Sequence, residues 1–346
     1  MTTPTNSRRW LVTGGAGFFG RRMCSALQKL GQQVVVLDIA SQKDTTPIQY
    51  IQGSVTDPAI YRSQVPGVDI VVHAATALPL HPKSRVQHVI SQGTLQAVRY
   101  AEERRLHCIV LSTTAVYSPY AAGPHKEDAP TAGIYGPYAL AKVEAENHCK
   151  RALDRGAKIS LVRPKTFIGP GRLGLFSLLC DWVLAGKKVP ILGAGQNRYQ
   201  LLDVDDLVEA VWQLANASEF AAGIFNVGAK SFGTVLQDLS SLCMYAGTGA
   251  SVRPVPAKAT QSLLRMFYRM GLSPLYPWVY ETCDRDHMVD TSKIEETLGF
   301  VPRFSNLDAL TRTFDWYRLH GRYMPHRRGH DGRWRQGLLG MFRALS

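Results

Sequence analysis

Nowhere in the 346 residues do apolar side chains run on long enough to cross a bilayer, and the opening MTTPTNSRRW has no apolar stretch. A span needs about 20 apolar residues in succession, and a secretory leader needs an apolar centre of its own; the sequence predicts neither. Cysteine is scarce. Cys24, Cys108, Cys149, Cys180, Cys243 and Cys283 are scattered, with no Cys-x-x-Cys. That pattern argues against a structural zinc and a disulfide framework, so no metal site is expected and a reducing cytoplasm is the predicted compartment. Carboxylates are also short, 27 against 40 lysines and arginines, which leaves a formal charge of +13. A surplus of this size raises the question of nucleic acid. Its distribution weakens that reading: between residues 320 and 346, six arginines against Asp331 alone supply +5 of the excess. The body carries no basic tract. Cofactor phosphates or an anionic membrane surface account for the remainder, and no nucleic-acid partner is predicted.

What is present is alternation. RRWLVTGG is an apolar strand entering a glycine turn, RRMCSALQKLG is helical and stops at Gly31, and QVVVLDI is the next strand. VDIVVHAAT and HCIVLSTT follow as strands, separated by the long helical stretch KSRVQHVISQGTLQAVRYAEERR. YALAKVEAENHCKRALDRG is a helix ending at Gly156, with the strand KISLVRP behind it. Such alternation builds a parallel sheet, and the near-continuous apolar character of the strands fits burial on both faces. Past about residue 170 the pattern loosens. DVDDLVEAVWQLANA is still a helix, with acidic residues in its first turn where the helix dipole favours them, and GIFNVG is expected to return to the sheet.

VTGGAGFFG puts Gly14, Gly17 and Gly20 directly after a strand and at the mouth of a helix. Glycine there permits the tight turn and lets a pyrophosphate approach helix-terminal N–H groups. Asp38 ends the next strand, placed to accept hydrogen bonds from the adenosine ribose hydroxyls and to repel a 2′-phosphate. NAD is therefore predicted over NADP, with Arg21 and Arg22 as the residues that would reverse the preference. The fold class this implies is α/β: a doubly wound parallel-sheet Rossmann domain over residues 1–171, completed by about 200–228. A smaller C-terminal substrate lobe is expected from 172–199 and 229–320, and a basic amphipathic tail at 321–346.

In YGPYALAK, Tyr138 and Lys142 stand one helical turn apart, whereas four residues on from Tyr135 lies Ala139. A free tyrosine has a pKa of about 10 and is a poor base at neutral pH; an ammonium one turn away stabilises its phenolate. TGGAGFFG, HAAT, STTAVY, YALAK and VRPKTFIGPG, in this order, resemble the extended short-chain dehydrogenase/reductase superfamily and its NAD-dependent epimerase/dehydratase family. The likeness is strong over residues 10–171 and weaker at LLDVDDLVEA and VDTSKIEETLGFVPR. It implies Tyr138 as the acid/base, Lys142 as its partner and a holder of the nicotinamide ribose, and Thr113 as the hydroxyl that binds the reacting oxygen. Ser112 and Thr114 are adjacent hydroxyls in a shifted register. The resemblance also implies cofactor contacts at Gly14, Gly17, Phe18, Phe19 and Gly20, at Ser54 and Val55, at Ala74 and Ala75, and at Pro164. His73 and His107 are expected to be strand-end residues, since the family needs no histidine. A homodimer formed through the helices near 85–105 and 137–154 is implied as well.

Departures from the family pattern narrow the reaction. Where Gly-Asp often binds the adenine amine, QGSVTD has Ser54. Sugar-nucleotide 4,6-dehydratases carry Asp-Glu after the threonine; Thr114 and Ala115 stand here, so dehydration is not expected. Epimerases usually clamp the substrate diphosphate with an arginine four residues before a histidine in a segment like YQLLDVDDL. Those places are Tyr199 and Asp203, with Arg198 alongside, and the arginine expected before VDTSKIEETLGF is not evident. SLLRMFYRMGLSPLYPWVY, Ser262 to Tyr280, crowds apolar side chains where the substrate should be covered, as lobe core or as a greasy lid. In the tail, Trp334, Leu338, Met341, Phe342 and Leu345 share a helical face with Arg335 and Arg343 off it, a pattern suited to an interfacial helix, with packing on a partner subunit or a disordered tail as the alternatives. The reading is a cytoplasmic NAD-dependent oxidoreductase interconverting a secondary alcohol and a ketone. Its small-molecule substrate is lipophilic, sterol-like or a secondary metabolite, with peripheral membrane contact through the tail. A sugar-nucleotide epimerase is the alternative. A non-catalytic NAD-binding scaffold is the third reading, and Thr113, Tyr138 and Lys142 speak against it.

Overall fold

The structure, a computed structural model, describes residues 7–41, 48–79, 81–118, 123–133, 136–270, 275, 277–326 and 333–334. Its strands are β1 (Arg9–Thr13), β2 (Gln33–Asp38), β3 (Gln49–Gln52), β4 (Ile70–His73), β5 (His107–Leu111), β6 (Ile159–Pro164), β7 (Thr166–Ile168), β8 (Lys188–Leu192), β9 (Leu201–Asp203), β10 (Gly223–Val227) and β11 (Ser251–Val255). Seven of them form one parallel sheet in the order β10-β6-β5-β4-β1-β2-β3. GIFNVG does return to the sheet, with Gly223–Val227 beside β6. This is the doubly wound Rossmann arrangement that the alternation predicts.

The apolar runs are needed because each strand buries both faces. Trp10 and Val12 of β1 join one core layer with Val34, Val36 and Val72, under the helices Phe18–Lys29 and Val204–Asn216, and Trp10 stacks on Trp212 at 5.6 Å. Leu11, Val35, Leu37 and Val71 join the opposite layer with Ala97, Val98 and Cys149, under the helices Gly93–Glu103 and Pro137–Asp154. Successive side chains alternate across the sheet, so a strand with two covered faces cannot alternate apolar with polar. The predicted long helix near 85–105 forms as Lys83–Gln87, a π turn at His88–Gln92, and Gly93–Glu103. A Cβ on Gly93 would stand 2.7 Å from Val55 Cγ2, so the helix approaches the loop after β3 closely.

A third cluster lies beyond the sheet. Trp182, Leu242, Leu310, Phe314 and Tyr317 join the helices Leu175–Leu184, Val235–Ala246 and Asn306–Leu319, beside the parallel pair β8–β11. The strand order reverses between β1 and β4, and the loops at the carboxyl ends of those strands form the crevice in which such sheets bind ligands.

Candidate active site

At the end of β1 the chain turns through Gly14, at φ +71°. A Cβ there would lie 2.7 Å from Ala75 Cα, and one on Gly20 would lie 2.2 Å from Gly14 O. The turn therefore excludes larger residues and lies against the end of β4, where Ala74 N donates to Thr13 O (3.2 Å) and Ala75 N to Thr13 Oγ1 (3.3 Å). Gly17 enters the helix Phe18–Lys29 in extended conformation without a side-chain cap, leaving the first helical N–H groups to a pyrophosphate. The rings of Phe18 and Phe19 are buried in the core, Phe18 stacked on Phe167 at 5.9 Å, so these two residues meet a cofactor through backbone alone. Asp38 ends β2, and its carboxylate accepts from Ala16 N (3.0 Å) and Ala40 N (2.9 Å), which fixes it at the rim of the turn. Arg22 is paired with Asp205 at 3.6 Å, while Arg21 donates to Ala16 O, the residue whose N–H donates to the Asp38 carboxylate. Ser54 shares a hydrogen bond with Thr56 at 2.8 Å and Val55 is buried. A glycine turn that a Cβ would fill, open helical N–H groups and a fixed carboxylate fit NAD. Asp38→Ala is expected to lower the preference for NAD over NADP about tenfold, the size of one lost hydrogen bond to a charged group, read as the ratio of kcat/KM with the two cofactors.

Gly136, at φ +86°, and Pro137 in the first turn start the helix Pro137–Asp154, one supplying a conformation open to glycine and the other a preset helical φ. Tyr138 in that first turn is half-buried against Ala77, Val86 and Ile90. Lys142, one turn on, is buried, and its Nζ donates to Leu111 O at 2.8 Å, which ties the helix to the end of β5. Burial lowers its pKa to about 8, against the opposing pull of Glu146. Two residues beyond Leu111, Thr113 caps the short turn Thr114–Val116, its Oγ1 accepting from Ala115 N at 3.2 Å. Of the three neighbouring hydroxyls Ser112 is buried and donates to Glu146 at 2.6 Å, Thr114 is buried, and Thr113 alone is half-exposed. Tyr135 lies outside the described residues. His73 is buried between Thr13 (2.9 Å) and Thr94 (3.2 Å), and burial and then Lys142 drive its pKa down to about 3. His107 contacts Ser160 at 2.8 Å and is lowered to about 4 by burial.

Two buried clusters behind these residues escaped the sequence reading. Arg163, one residue before Pro164, donates to both carboxylate oxygens of Glu146 (2.9 and 2.6 Å), and both side chains are closed to solvent. The same guanidinium donates to Tyr117 OH (2.7 Å) and Glu127 O (2.9 Å), and Tyr117 OH donates to Asn226 Oδ1 (2.8 Å). Glu146 continues the four-residue spacing of Tyr138 and Lys142 along one helix face, the signal that would have found it. Lys165, one residue after Pro164, is buried with its Nζ against His287 Nδ1 and 4.8 Å from the Tyr199 ring centre. Burial holds the Lys165 pKa well below its ordinary value, and burial and Lys165 hold His287 down as well. Between its folded pKa and about 10.4, Lys165 carries a proton in the unfolded chain that the fold rejects, so stability rises with pH across that window. Lys142, lowered to about 8, acts with the same sign between about 8 and 10.4. Lys165→Met is expected to raise the melting temperature at neutral pH and to flatten its rise toward pH 9, as read by calorimetry.

Against the third cluster lies a cavity of 540 Å³. Leu175, Leu178, Leu179, Trp182 and Val189 form part of its wall; Leu263, Leu264 and Phe267 of the helix Ala257–Arg269 cover another part, with Leu275 and Val279. The apolar segment expected over the substrate thus does line a cavity, while Met266 and Met270 on the same helix face solvent. Thr166 and Tyr199, whose hydroxyls are 3.2 Å apart, stand at one end with Arg172. The Arg172 guanidinium lies 5.3 Å from the Phe18 ring centre, whereas Thr113, Tyr138 and Lys142 are not among the residues that line the cavity. Lys188 and Arg253 are further cations on the lining. Arg198, a candidate clamp, instead points to Phe232, and Asp203 is buried as the cap of the helix Val204–Asn216. Trp334 does not head an open interfacial face: its side chain is 6% exposed and forms part of the cavity wall. The rest of the expected amphipathic face lies outside the described residues. Among the described residues no helix is long and apolar enough to cross a membrane, and no cluster of His, Cys, Asp or Glu could hold a metal.

The sequence model of the NAD dependent epimerase/dehydratase family matches residues 10–228. The chain belongs to the NAD-dependent epimerase/dehydratase family. Family membership makes NAD the cofactor, in agreement with the cradle. Among its relatives, the uncharacterized protein y4nG of Sinorhizobium fredii is 31% identical over 317 residues, which cover 90% of this chain and 78% of the relative. A dTDP-glucose 4,6-dehydratase of Streptomyces niveus is 28% identical over 339 residues, covering 90% of this chain and 93% of the relative. The solved UDP-glucose 4-epimerase of Thermotoga maritima, with UDP-glucose, shares the fold at a TM-score of 0.73 and 22% identity, over 90% of this chain and 99% of that one.

Proposed function

We propose that this family member is an epimerase acting on a sugar nucleotide, oxidising a secondary hydroxyl and then reducing the same carbon from the other face. The observation that carries this reading is the set of cations on the cavity lining: Arg172, whose guanidinium lies over the ring of Phe18, together with Lys188 and Arg253. Cations arranged along an apolar cleft suit a nucleotide diphosphate. They stand in for the two arginine clamps that the sequence does not show in their usual places. The relatives support the sugar-nucleotide alternative over the lipophilic alcohol that the sequence alone put first. The elimination carried out by the dehydratase relative is disfavoured here, because Thr114 and Ala115 replace the carboxylates it would need and are buried.

Bound NAD supplies a hydride acceptor and donor. In this reading Tyr138 takes the hydroxyl proton and returns it, Lys142 steadies the phenolate by its charge, and Thr113 Oγ1 binds the reacting oxygen. Residues 1–171, completed by about 200–228, hold the cofactor, and 172–199 with 229–320 enclose the substrate. A homodimer formed through the helices near 85–105 and 137–154 belongs to the same reading.

The largely apolar cavity wall favours a second reading, net oxidation of a lipophilic secondary alcohol. Incubating the protein with NAD and either UDP- and dTDP-hexoses or lipophilic alcohols separates the two. Epimerised sugar without accumulation of NADH supports the first; NADH formed in proportion to a ketone from a lipophilic alcohol, with the hexoses inert, overturns it in favour of the second.

A further inference from the structure

We infer that Arg333 and Trp334 act as a strap that completes the wall of the cavity, and that the Trp334 indole limits the size of what the cavity admits. The anchor is a partly buried polar knot. Arg333 Nη2 donates to both oxygens of Asp181 (3.2 and 3.1 Å), its Nε donates to Tyr317 OH (3.0 Å), and its Nη1 donates to Arg322 O (2.8 Å). Tyr317 OH donates in turn to Asp181 Oδ1 at 2.6 Å. Asp181 is only 6% exposed, so Arg333 supplies the opposite charge that a carboxylate in that position requires. The backbone is fixed too: Arg333 N donates to Pro325 O (3.2 Å), and Trp334 N donates to Ser177 Oγ (3.1 Å).

Ser177 and Asp181 lie on the helix Leu175–Leu184, whose Leu175, Leu178, Leu179 and Trp182 line the cavity. One helix therefore holds the strap along one side and offers the cavity wall along the next. With Arg333 held by Asp181 and the following N–H held by Ser177, the indole of Trp334 has one place to go, and it completes the wall. A rigid aromatic ring with few rotatable bonds, held at its own N–H and through the preceding Arg333, acts as a size limit. The assignment of the cavity to substrate rests on the function proposed above; the closure does not.

Fluorescence titration of the full chain with anilinonaphthalene sulfonate and with its bulkier covalent dimer tests both, since apolar dyes report an open apolar cavity. The expected wild-type result is one-to-one binding of the smaller dye with discrimination against the dimer. Trp334→Ala is expected to shift the affinity ratio toward the dimer by at least ~10-fold, the scale on which a pocket resolves small differences in size. Arg333→Met should shift it the same way by releasing the strap, and Trp334→Phe should stay near wild type. An unchanged ratio in both Trp334→Ala and Arg333→Met, or a wild type that binds neither dye one-to-one, would overturn the inference. Displacement of the smaller dye by UDP-glucose tests the functional assignment separately: a shifted ratio without displacement leaves the strap standing and removes the sugar nucleotide from this cavity.

Discussion

Replacing Tyr138 with phenylalanine is expected to lower kcat about 10²–10⁴-fold, the usual cost of removing a positioned acid/base, while NAD binds as it does to the wild type. The substitution deletes one oxygen from a ring that is half-buried against Ala77, Val86 and Ile90, so the helix start at Gly136 and Pro137 has no reason to move. Lys142 remains tethered to Leu111 O. Pre-steady-state turnover and a separate NAD titration give the two quantities. Activity within a few-fold of wild type would remove Tyr138 from the mechanism and return attention to the neighbouring hydroxyls. Lys142→Met should depart from this pattern by weakening NAD affinity as well as kcat, since the proposed mechanism gives it both the phenolate and the nicotinamide ribose.

Arg163→Met is expected to cost about 3–5 kcal/mol of unfolding free energy, because it leaves the Glu146 carboxylate buried without its countercharge. The pair is 0% and 1% exposed and bidentate at 2.6–2.9 Å. Tyr117 and the carbonyl of Glu127 also lose a donor. Urea unfolding at neutral pH measures the loss. The double variant Arg163→Met with Glu146→Leu should recover much of it, since two apolar groups of similar volume replace both charges together. A loss under about 1 kcal/mol in the single variant, the scale of a surface ion pair, would show that water reaches the cluster and that its position behind Lys142 is incidental.

The contrast between these residues explains what was legible in the sequence. Strands β1, β2, β4, β5 and β6 are short apolar runs bounded by polar residues, and period and turn chemistry are local properties. The glycine turn, Asp38, and the Tyr138–Lys142 spacing are local too. Other elements were shifted by features that a pattern does not carry. The first helix starts at Phe18 rather than at Arg21, because Gly17 hands the chain directly into the first helical turn. The strand HCIVLSTT ends at Leu111, because Thr113 caps a short turn. Arg163 meets Glu146, Lys165 meets His287, and Arg333 meets Asp181 only once the chain has folded. The last two pairs join the residue between β6 and β7, or the helix Leu175–Leu184, to segments more than a hundred residues away, and nothing in their local spacing announces a partner. Trp334 shows the risk of reading a helical wheel alone: the residue that seemed to head an interfacial face is fixed into a wall by the bonds of its neighbour.

The most direct measurement is a single turnover with NAD and UDP-glucose deuterated at the carbon to be inverted, followed by NADH absorbance and by the fate of the label. If Tyr138, Lys142 and Thr113 oxidise a secondary hydroxyl and the hydride is returned, NADH rises and falls within the turnover, deuterium slows both phases, the inverted sugar keeps its label, and Tyr138→Phe shows no rise. Inverted sugar that carries hydrogen from solvent, formed with no transient NADH, would contradict hydride transfer as the basis of this site.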